Sequence, residues 1–172
     1  MIAGKIVRTL DQAWSQAEPL RLGTKAAIQG TPACYVLVED DAFRLRCDIY
    51  PPADQAFVFE DVQFWRDLLL VGYGSALYWV HLPTRANGMH LFEGYFGSLQ
   101  TTNEWCLVAF DNGLLRLSTD GAAIWRRNDL AVDGVTIGDV VGDILHIDAE
   151  MDPPGGWIER RLRLSTGATV ED

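Results

Sequence analysis

Residues that commonly perform catalysis are few in this chain and do not form a recognised motif. The sequence contains three histidines, His81, His90 and His146, and three cysteines, Cys34, Cys47 and Cys106. It has no His-x-x-x-His pair, no Gly-x-Ser-x-Gly motif, no Gly-x-x-x-x-Gly-Lys loop and no Cys-x-x-Cys pair. The odd number of cysteines argues against a closed disulfide framework, so we expect reduced, mostly buried thiols. A site formed by Cys106, a histidine and an aspartate stays open, because such partners meet only in the folded protein. The sequence therefore identifies no catalytic residue and favours binding over catalysis.

Carboxylates near the C-terminus have the spacing of a calcium loop but lack its turn residue. Asp148, Glu150, Asp152 and Glu159 occupy positions 1, 3, 5 and 12 of an EF-hand-like loop. Position 6 is Pro153, whose fixed φ is incompatible with the sharp turn for which this loop uses glycine. The sequence therefore excludes an EF-hand, and we predict neither a metal nor a cofactor.

The charge of the chain is strongly negative and unevenly distributed. Fourteen basic and 24 acidic residues give a formal net charge of −10, which repels phosphate backbones and argues against nucleic-acid binding. Residues 1–86 hold 8 basic and 10 acidic residues, whereas residues 87–172 hold 6 and 14. No lysine or arginine lies between Arg127 and Arg160. This acidic window is either a solvated face that keeps the protein soluble or a surface that steers a basic protein partner.

One loop within the acidic window carries an aromatic residue. The segment Glu150-Met-Asp-Pro-Pro-Gly-Gly-Trp157 is an extended hairpin tip. Aromatic residues beside charge are common at binding hot spots, so we predict partner binding by Asp148, Glu150, Asp152 and Trp157. The alternative is that Trp157 folds back onto a neighbouring sheet and covers the core.

A long uncharged stretch needs an explanation other than a membrane span. The 17 residues from Leu68 to Thr84 contain no Lys, Arg, Asp or Glu, but Gly72-Tyr-Gly-Ser75 in the middle is a turn signal. We therefore predict a β-hairpin and no membrane association. The N-terminus has no apolar run of the kind found in signal peptides, so a cytoplasmic location is expected.

Four related segments recur along the chain. The segments starting at Cys34 and Cys106 align without a gap over twelve residues, and a third copy starts at Leu68. A fourth starts at Ile144 and carries an insertion of nine residues. Each copy contains an apolar strand, a tight turn and a second strand, and spacings near 40 residues with several short strands are typical of propeller blades.

Local signals within these segments are mainly those of strands. Asp111-Asn112-Gly113 predicts a hairpin with a type I′ turn, which requires positive φ. The partial period-2 pattern in Leu114–Ser118 suits a strand buried on both faces. The one candidate helix spans Leu10 to Glu18, is stopped by Pro19 and has room for two turns.

The segment Leu115-Arg-Leu-Ser-Thr-Asp-Gly-Ala-Ala-Ile-Trp125 resembles the repeats of quinoprotein-type (PQQ-like) β-propellers. In that pattern an apolar strand leads to a small-residue Asp/Thr-Gly turn, followed by a tryptophan. Leu162–Val170 repeats the turn but lacks the tryptophan. The resemblance implies a propeller-like meander; complete propellers of that family have more than four blades, so the family's cofactor site is not carried over.

Together these observations predict a single all-β domain over residues 1–172. It consists of an N-terminal segment, 1–33, with at most one short helix, and four propeller-like antiparallel β-meander repeats starting near 34, 68, 106 and 144, as a partial propeller or a small closed meander. The predicted function is that of a non-catalytic protein-binding module, such as an acidic inhibitor or immunity-type protein that covers a basic partner. The alternatives are a small hydrolase or ligand-binding β-protein with a polar Asp/Glu/His pocket, and a structural module whose exposed sheet edges pair with another chain.

Overall fold

The computed structural model describes residues 3–40, 43–52 and 59–171, and the regular structure in these ranges is almost entirely β. The helical elements described are a single turn at Gln12–Ser15 (α1) and a 3₁₀ turn at Ala27–Gln29. The side chain of Asp11 caps α1 by accepting a hydrogen bond of 2.9 Å from the Trp14 amide. The predicted two-turn helix over Leu10–Glu18 is thus shorter than expected, and the chain becomes a strand at Pro19.

The described strands form four small sheets. Sheet 1 contains, in spatial order, β1 (Ala3–Val7), β3 (Cys34–Glu39), β4 (Arg44–Tyr50) and β2 (Pro19–Gly23). Sheet 2 contains β5 (Glu60–Trp65), β6 (Leu68–Tyr73), β7 (Ala76–His81) and β8 (Asn87–Leu91). Sheet 3 contains β9 (Phe96–Thr101), β10 (Cys106–Phe110), β11 (Gly113–Leu117) and β12 (Ala123–Arg127). Sheet 4 contains β13 (Val135–Val141), β14 (Ile144–Asp152) and β15 (Gly156–Arg163). The predicted all-β fold of four small antiparallel meander sheets is confirmed; β2 alone among these strands pairs in parallel, with β4.

The predicted repeat starts fall at equivalent places in the four sheets. Cys34, Leu68, Cys106 and Ile144 are the first residues of β3, β6, β10 and β14, each of which is the second strand of its sheet. The uncharged stretch from residue 68 onward forms the antiparallel hairpin of β6 and β7, as predicted. In the described residues no helix is long and apolar enough to cross a membrane.

The hairpin between β10 and β11 forms as predicted, but its turn is not type I′. Phe110 pairs with Gly113, so the two turn residues are Asp111 and Asn112. A type I′ turn requires a positive φ at both of these residues, and neither Asp111 nor Asn112 has one. The glycine is required by space instead: a Cβ at Gly113 would lie 1.9 Å from the carbonyl oxygen of Arg127 on β12.

The four sheets pack face to face in a row with a hydrophobic core in each gap. The first core joins sheets 1 and 2, the second joins sheets 2 and 3, and the third joins sheets 3 and 4. Strands of the two middle sheets are therefore buried on both faces. In β11, Leu115 contributes to the second core and Leu114 to the third, as the pattern in this segment predicted. In β14 of the last sheet, by contrast, apolar and polar residues alternate.

The hairpin turns of sheets 2 and 3 accept backbone hydrogen bonds from the chain that leads into the following sheet. In sheet 2 the turn carbonyls of Gly74 and Ser75 accept hydrogen bonds from the amides of Phe96 and Phe92. In sheet 3 the Asp111 carbonyl accepts a hydrogen bond from the Gly134 amide. The Asn112 carbonyl accepts hydrogen bonds from the amides of Leu130 and Ala131. The same backbone arrangement thus recurs from one sheet to the next.

The two ends of the row differ. On the outer face of sheet 1, Arg46 forms a bidentate ion pair with the buried Asp48 and donates to the carbonyl oxygens of Trp14, Ser15 and Ala17. These bonds hold α1 against the sheet and bury Trp14. The outer face of sheet 4, which points away from sheet 3, carries mainly polar side chains, and no described element packs on it as α1 does on sheet 1.

Candidate interaction surface

The residues predicted to bind a partner lie on β14 and β15 of sheet 4. Leu145, Ile147 and Ala149 of β14 are buried, so the alternation of a strand directs Asp148 and Glu150 to the outer face. Across the strand pair, Asp148 lies opposite Glu159, and Glu150 lies opposite Trp157. The structure therefore brings Asp148, Glu150 and Trp157 onto one face, as the hypothesis requires, and places Asp152 at the exposed end of the hairpin, opposite Gly156.

Glu150 has a structural task in addition to its place on the surface. Its side chain accepts a hydrogen bond from the Gly155 amide, which closes the tip of the hairpin. Its backbone carbonyl accepts bonds of 2.8 and 3.3 Å from the amides of Val132 and Asp133. Glu150 thus connects the tip to the linker before β13, and a substitution there must preserve an acceptor.

Trp157 neither covers the core nor extends freely into solvent. Its side chain is 46% exposed, and one edge of the ring rests on the linker before β13. A Cβ built on Gly134 would lie 3.1 Å from Cη2 of Trp157. The ring is therefore held in place while much of it stays accessible to a partner.

Two further aromatic residues belong to this surface and were missed by the sequence-based hypothesis. Tyr95 lies in the linker before β9, and its hydroxyl donates a 2.8 Å hydrogen bond to Asp133. Phe59, 54% exposed, lies with its ring centroid 5.4 Å from that of Tyr95. We refer to Phe59, Tyr95 and Trp157 as the aromatic row. A signal was available, because Phe59 and Tyr95 are 36 residues apart, close to the repeat spacing, and each directly precedes the first strand of a sheet.

The electrostatic environment of the aromatic row is negative. Burial raises the pKa of Tyr95, and the hydrogen bond to Asp133 and the nearby charges of Asp111 and Glu150 raise it further. The pKa of the Asp111 carboxyl is also raised, first by burial and then by the charges of Glu93 and Asp133. Several carboxylates thus share a small region in which a cation would be stabilised.

The acidic window is only partly available to a partner. Asp129 pairs with Arg127 at 2.7 Å, and Asp143 accepts hydrogen bonds from the backbone and side chain of Ser165. These two acids therefore stabilise the fold. Asp148 and Asp152 are exposed, and neither forms an ion pair within the described part of the chain. Part of the acidic window is therefore bonded within the fold, and another part is accessible to a basic partner.

Groups that could support catalysis meet in one place, also on the outer face of sheet 4. Nδ1 of His146 lies 2.8 Å from Oε1 of Glu159, beside an open depression lined in part by Asp139 and Asp148. The other two histidines have structural contacts, His81 with the Thr84 hydroxyl and His90 with the Gly121 carbonyl, each at 2.8 Å. Among the described residues, no group of three or more His, Cys, Asp or Glu side chains is arranged to hold a metal ion.

The position of Cys106 argues against the nucleophilic site that the sequence left open. Cys106 is fully buried in the second core, and burial raises the pKa of its thiol to about 12. Cysteine catalysis requires an accessible thiolate. The alignment of Cys106 with Cys34, which is also fully buried, therefore reflects packing.

No protein-family model matches this chain, and no curated protein or solved structure is significantly similar to it.

Proposed function

We propose that this protein is a non-catalytic binding module that docks a basic protein on the outer face and hairpin tip of sheet 4. One observation carries the proposal: Asp148 and Glu159 lie directly opposite each other on that face. Like charges in a cross-strand pair are destabilising. Glu159 contacts His146, whereas Asp148 is exposed and forms no ion pair among the described residues. A cationic partner that binds Asp148 would relieve the repulsion.

The position of Trp157 supports the same proposal. It lies on the face that carries Asp148 and Glu150, and it is held against Gly134 while 46% of its surface stays exposed. A rigid aromatic anchor beside charged groups has the features of a binding hot spot. The excess of 24 acidic over 14 basic residues would increase the rate at which a basic partner associates.

In its most specific form, the proposal describes an inhibitor or immunity-type protein whose carboxylates replace phosphates in a basic active site. We further propose that the row of four sheets is a partial propeller of quinoprotein-like repeats. A cytoplasmic location fits three free, buried cysteines, because reducing compartments keep thiols unpaired.

A triple substitution tests the proposal. Asp148→Asn, Glu150→Gln and Asp152→Asn remove three negative charges, and Glu150→Gln keeps a side-chain acceptor for the Gly155 amide. The control carries Glu18→Gln, Asp67→Asn and Glu104→Gln, three exposed positions outside sheet 4 with the same charge change. We expect wild type and control to capture a basic protein from lysate with association rates that fall steeply with salt. The triple variant should associate about tenfold or more slowly, with a flatter salt dependence. Equal capture and kinetics for all three proteins would contradict the proposal.

A second candidate function rests on the His146–Glu159 contact. A hydrolase using His146 as a general base, oriented by Glu159, would place its substrate in the adjacent depression beside Asp139 and Asp148. It predicts turnover of an activated ester such as p-nitrophenyl acetate that is lost in His146→Gln and retained in His81→Gln. Equal background rates for both variants and the wild type would reject it.

A further inference from the structure

The aromatic row follows the repeat of the fold. Phe59 directly precedes β5, and Tyr95 directly precedes β9. These are the first strands of sheets 2 and 3, so the two residues occupy equivalent positions. Their ring centroids lie 5.4 Å apart with an angle of 39° between the ring planes, which is a favourable tilted arrangement.

At the third equivalent position the chain has Gly134, and a different strand supplies the ring. Gly134 directly precedes β13, the first strand of sheet 4. Its Cβ position is 3.1 Å from Cη2 of Trp157 and 3.6 Å from the hydroxyl oxygen of Tyr95. A Cβ at Gly134 would require the Trp157 ring to shift by a few tenths of an ångström, whereas glycine leaves room for Trp157 to continue the row from β15.

The backbone beneath the row is held by hydrogen bonds between successive sheets. The Asp111 amide donates to the Tyr95 carbonyl at 3.0 Å, and the Glu150 amide donates to the Gly134 carbonyl at 3.0 Å. The Gly134 amide donates to the Asp111 carbonyl and links these two contacts. Positions fixed in this way lose little conformational entropy when a ligand binds.

Carboxylates lie beside the rings. Asp133 accepts the hydrogen bond of the Tyr95 hydroxyl, and Oε2 of Glu150 lies 3.6 Å from the Cβ position of Gly134. The nearby cation Arg126 is already engaged, because it bonds to Asn128 and to the Leu91 carbonyl. The region therefore combines accessible aromatic surface with negative charge.

We propose that the aromatic row recognises arginine side chains of an extended basic segment. A guanidinium group would stack on Tyr95 or Trp157 and bond to Asp133 or Glu150. Aromatic faces attract cations, and the planar guanidinium both stacks on rings and forms paired hydrogen bonds to carboxylates. Side chains two residues apart on an extended strand point to the same side, so alternate arginines fit successive rings. This inference rests on the proposed function and identifies how the basic partner is recognised.

The experiment compares two synthetic peptides. The first alternates arginine with serine, and the second has citrulline in place of every arginine. Citrulline has nearly the same shape but no charge. We expect wild type to bind the arginine peptide and to bind the citrulline peptide at least about tenfold more weakly by calorimetry. Trp157→Ala and Phe59→Ala should each weaken arginine-peptide binding by about three- to tenfold, and Trp157→Phe should recover part of the loss.

Ile124→Ala is the matched control, since Ile124 is 48% exposed on β12 and outside the row; its binding should equal that of wild type. Thermal unfolding of each variant shows whether the fold is intact, and Trp157→Phe guards against loss of structure. Equal binding of both peptides, unchanged binding in Trp157→Ala and Phe59→Ala, or no binding by wild type would overturn the inference. If the triple charge variant fails to capture the basic protein while Trp157→Ala and Phe59→Ala still capture it, the aromatic row does not recognise the partner, and the proposed function stands.

Discussion

The indole of Trp125, on β12 of sheet 3, lies against Gly167, in the turn that follows β15 of sheet 4. A Cβ at Gly167 would be 2.8 Å from the Trp125 ring, and the indole nitrogen donates a 2.8 Å hydrogen bond to the carbonyl of Leu164. Trp79 has the same relationship to Gly121, in the turn before β12. In both cases a tryptophan of one sheet covers a glycine turn of the next.

Substitution of Gly167 should destabilise this junction. Gly167 has a φ of +73°, so Gly167→Ala costs about 1–3 kcal/mol from the backbone and about 1–3 kcal/mol more from the clash with Trp125. Gly142 is the control, since its φ is +61° and no atom lies within 4 Å of its Cβ position. Urea unfolding should show a larger loss for Gly167→Ala than for Gly142→Ala. Equal losses would mean that the indole moves aside without cost.

Arg46 should be essential for attaching α1. Its side chain and that of Asp48 are 12% and 4% exposed, and removing one partner of a buried pair costs about 3–5 kcal/mol. In Arg46→Gln we expect faster hydrogen exchange at the Ser15 and Ala17 amides and a lower free energy of unfolding. The exposed pair of Arg163 with Asp143 lies on sheet 4, away from α1, and is worth less than about 1 kcal/mol, so Arg163→Gln is the comparison. Unchanged exchange in Arg46→Gln would contradict the anchoring role.

The three thiols should resist alkylation in the native state. Burial raises the pKa of Cys34, Cys47 and Cys106 to about 12, so thiolate is scarce at about pH 8. Iodoacetamide should leave the folded protein unmodified and label all three positions in urea, as counted by mass spectrometry. Rapid labelling of one native thiol would show that it is accessible.

Asp111 should reduce stability at neutral pH. Its pKa is raised mainly by burial, and Oδ1 is buried without a hydrogen-bond partner among the described residues. A raised pKa in the folded state means that ionisation of Asp111 lowers the free energy of unfolding. This destabilisation is absent below the pKa of the unfolded state, about 3.9, and is complete above the raised pKa of the folded state. Asp111→Asn should therefore be more stable than wild type near pH 7, with the difference disappearing toward about pH 3.5.

Asp120 provides a control of opposite sign for this titration. Its pKa is lowered, first by the hydrogen bond from Ser118, so its contribution is present above the unfolded pKa and lost as pH falls through the folded pKa. Asp120→Asn should thus be less stable than wild type at neutral pH and equal to it in acid. Denaturant titrations across pH measure the change in the free energy of unfolding caused by each substitution. A change of the same sign for Asp111→Asn and Asp120→Asn at neutral pH would contradict the opposite pKa shifts of the two carboxyls.

Much of the architecture was predictable because strand starts and turns are local signals. Cys34, Leu68, Cys106 and Ile144 each begin a strand that the apolar runs indicated. The membership of β1 and β2 in sheet 1 was not predictable, because the residues of β2 pair in parallel with residues 27 positions further on in β4, and such pairing leaves no local pattern. The type I′ prediction failed because Gly113 is selected by the close carbonyl of Arg127 and not by its φ.

The candidate surface was predictable only in part. The charge pattern and the Pro-Gly tip indicated Asp148, Glu150, Asp152 and Trp157, which the structure places around one hairpin. The repeat-like spacing of Phe59 and Tyr95 was present in the sequence, but their proximity to Trp157 was not, because it depends on the packing of three sheets. The dual role of Glu150 likewise depends on a bond to Gly155 that composition does not reveal.

The bonds from the turns of sheets 2 and 3 to the linkers that follow them make the array extensible. Gly74 and Ser75 of one turn, and Asp111 and Asn112 of the next, offer the same pair of carbonyl acceptors to the incoming chain. A duplicated sheet inserted after sheet 3 would find the acceptors it needs and present the same acceptors onward. The backbone hydrogen bonds at these two junctions are therefore compatible with lengthening of the array by a whole unit.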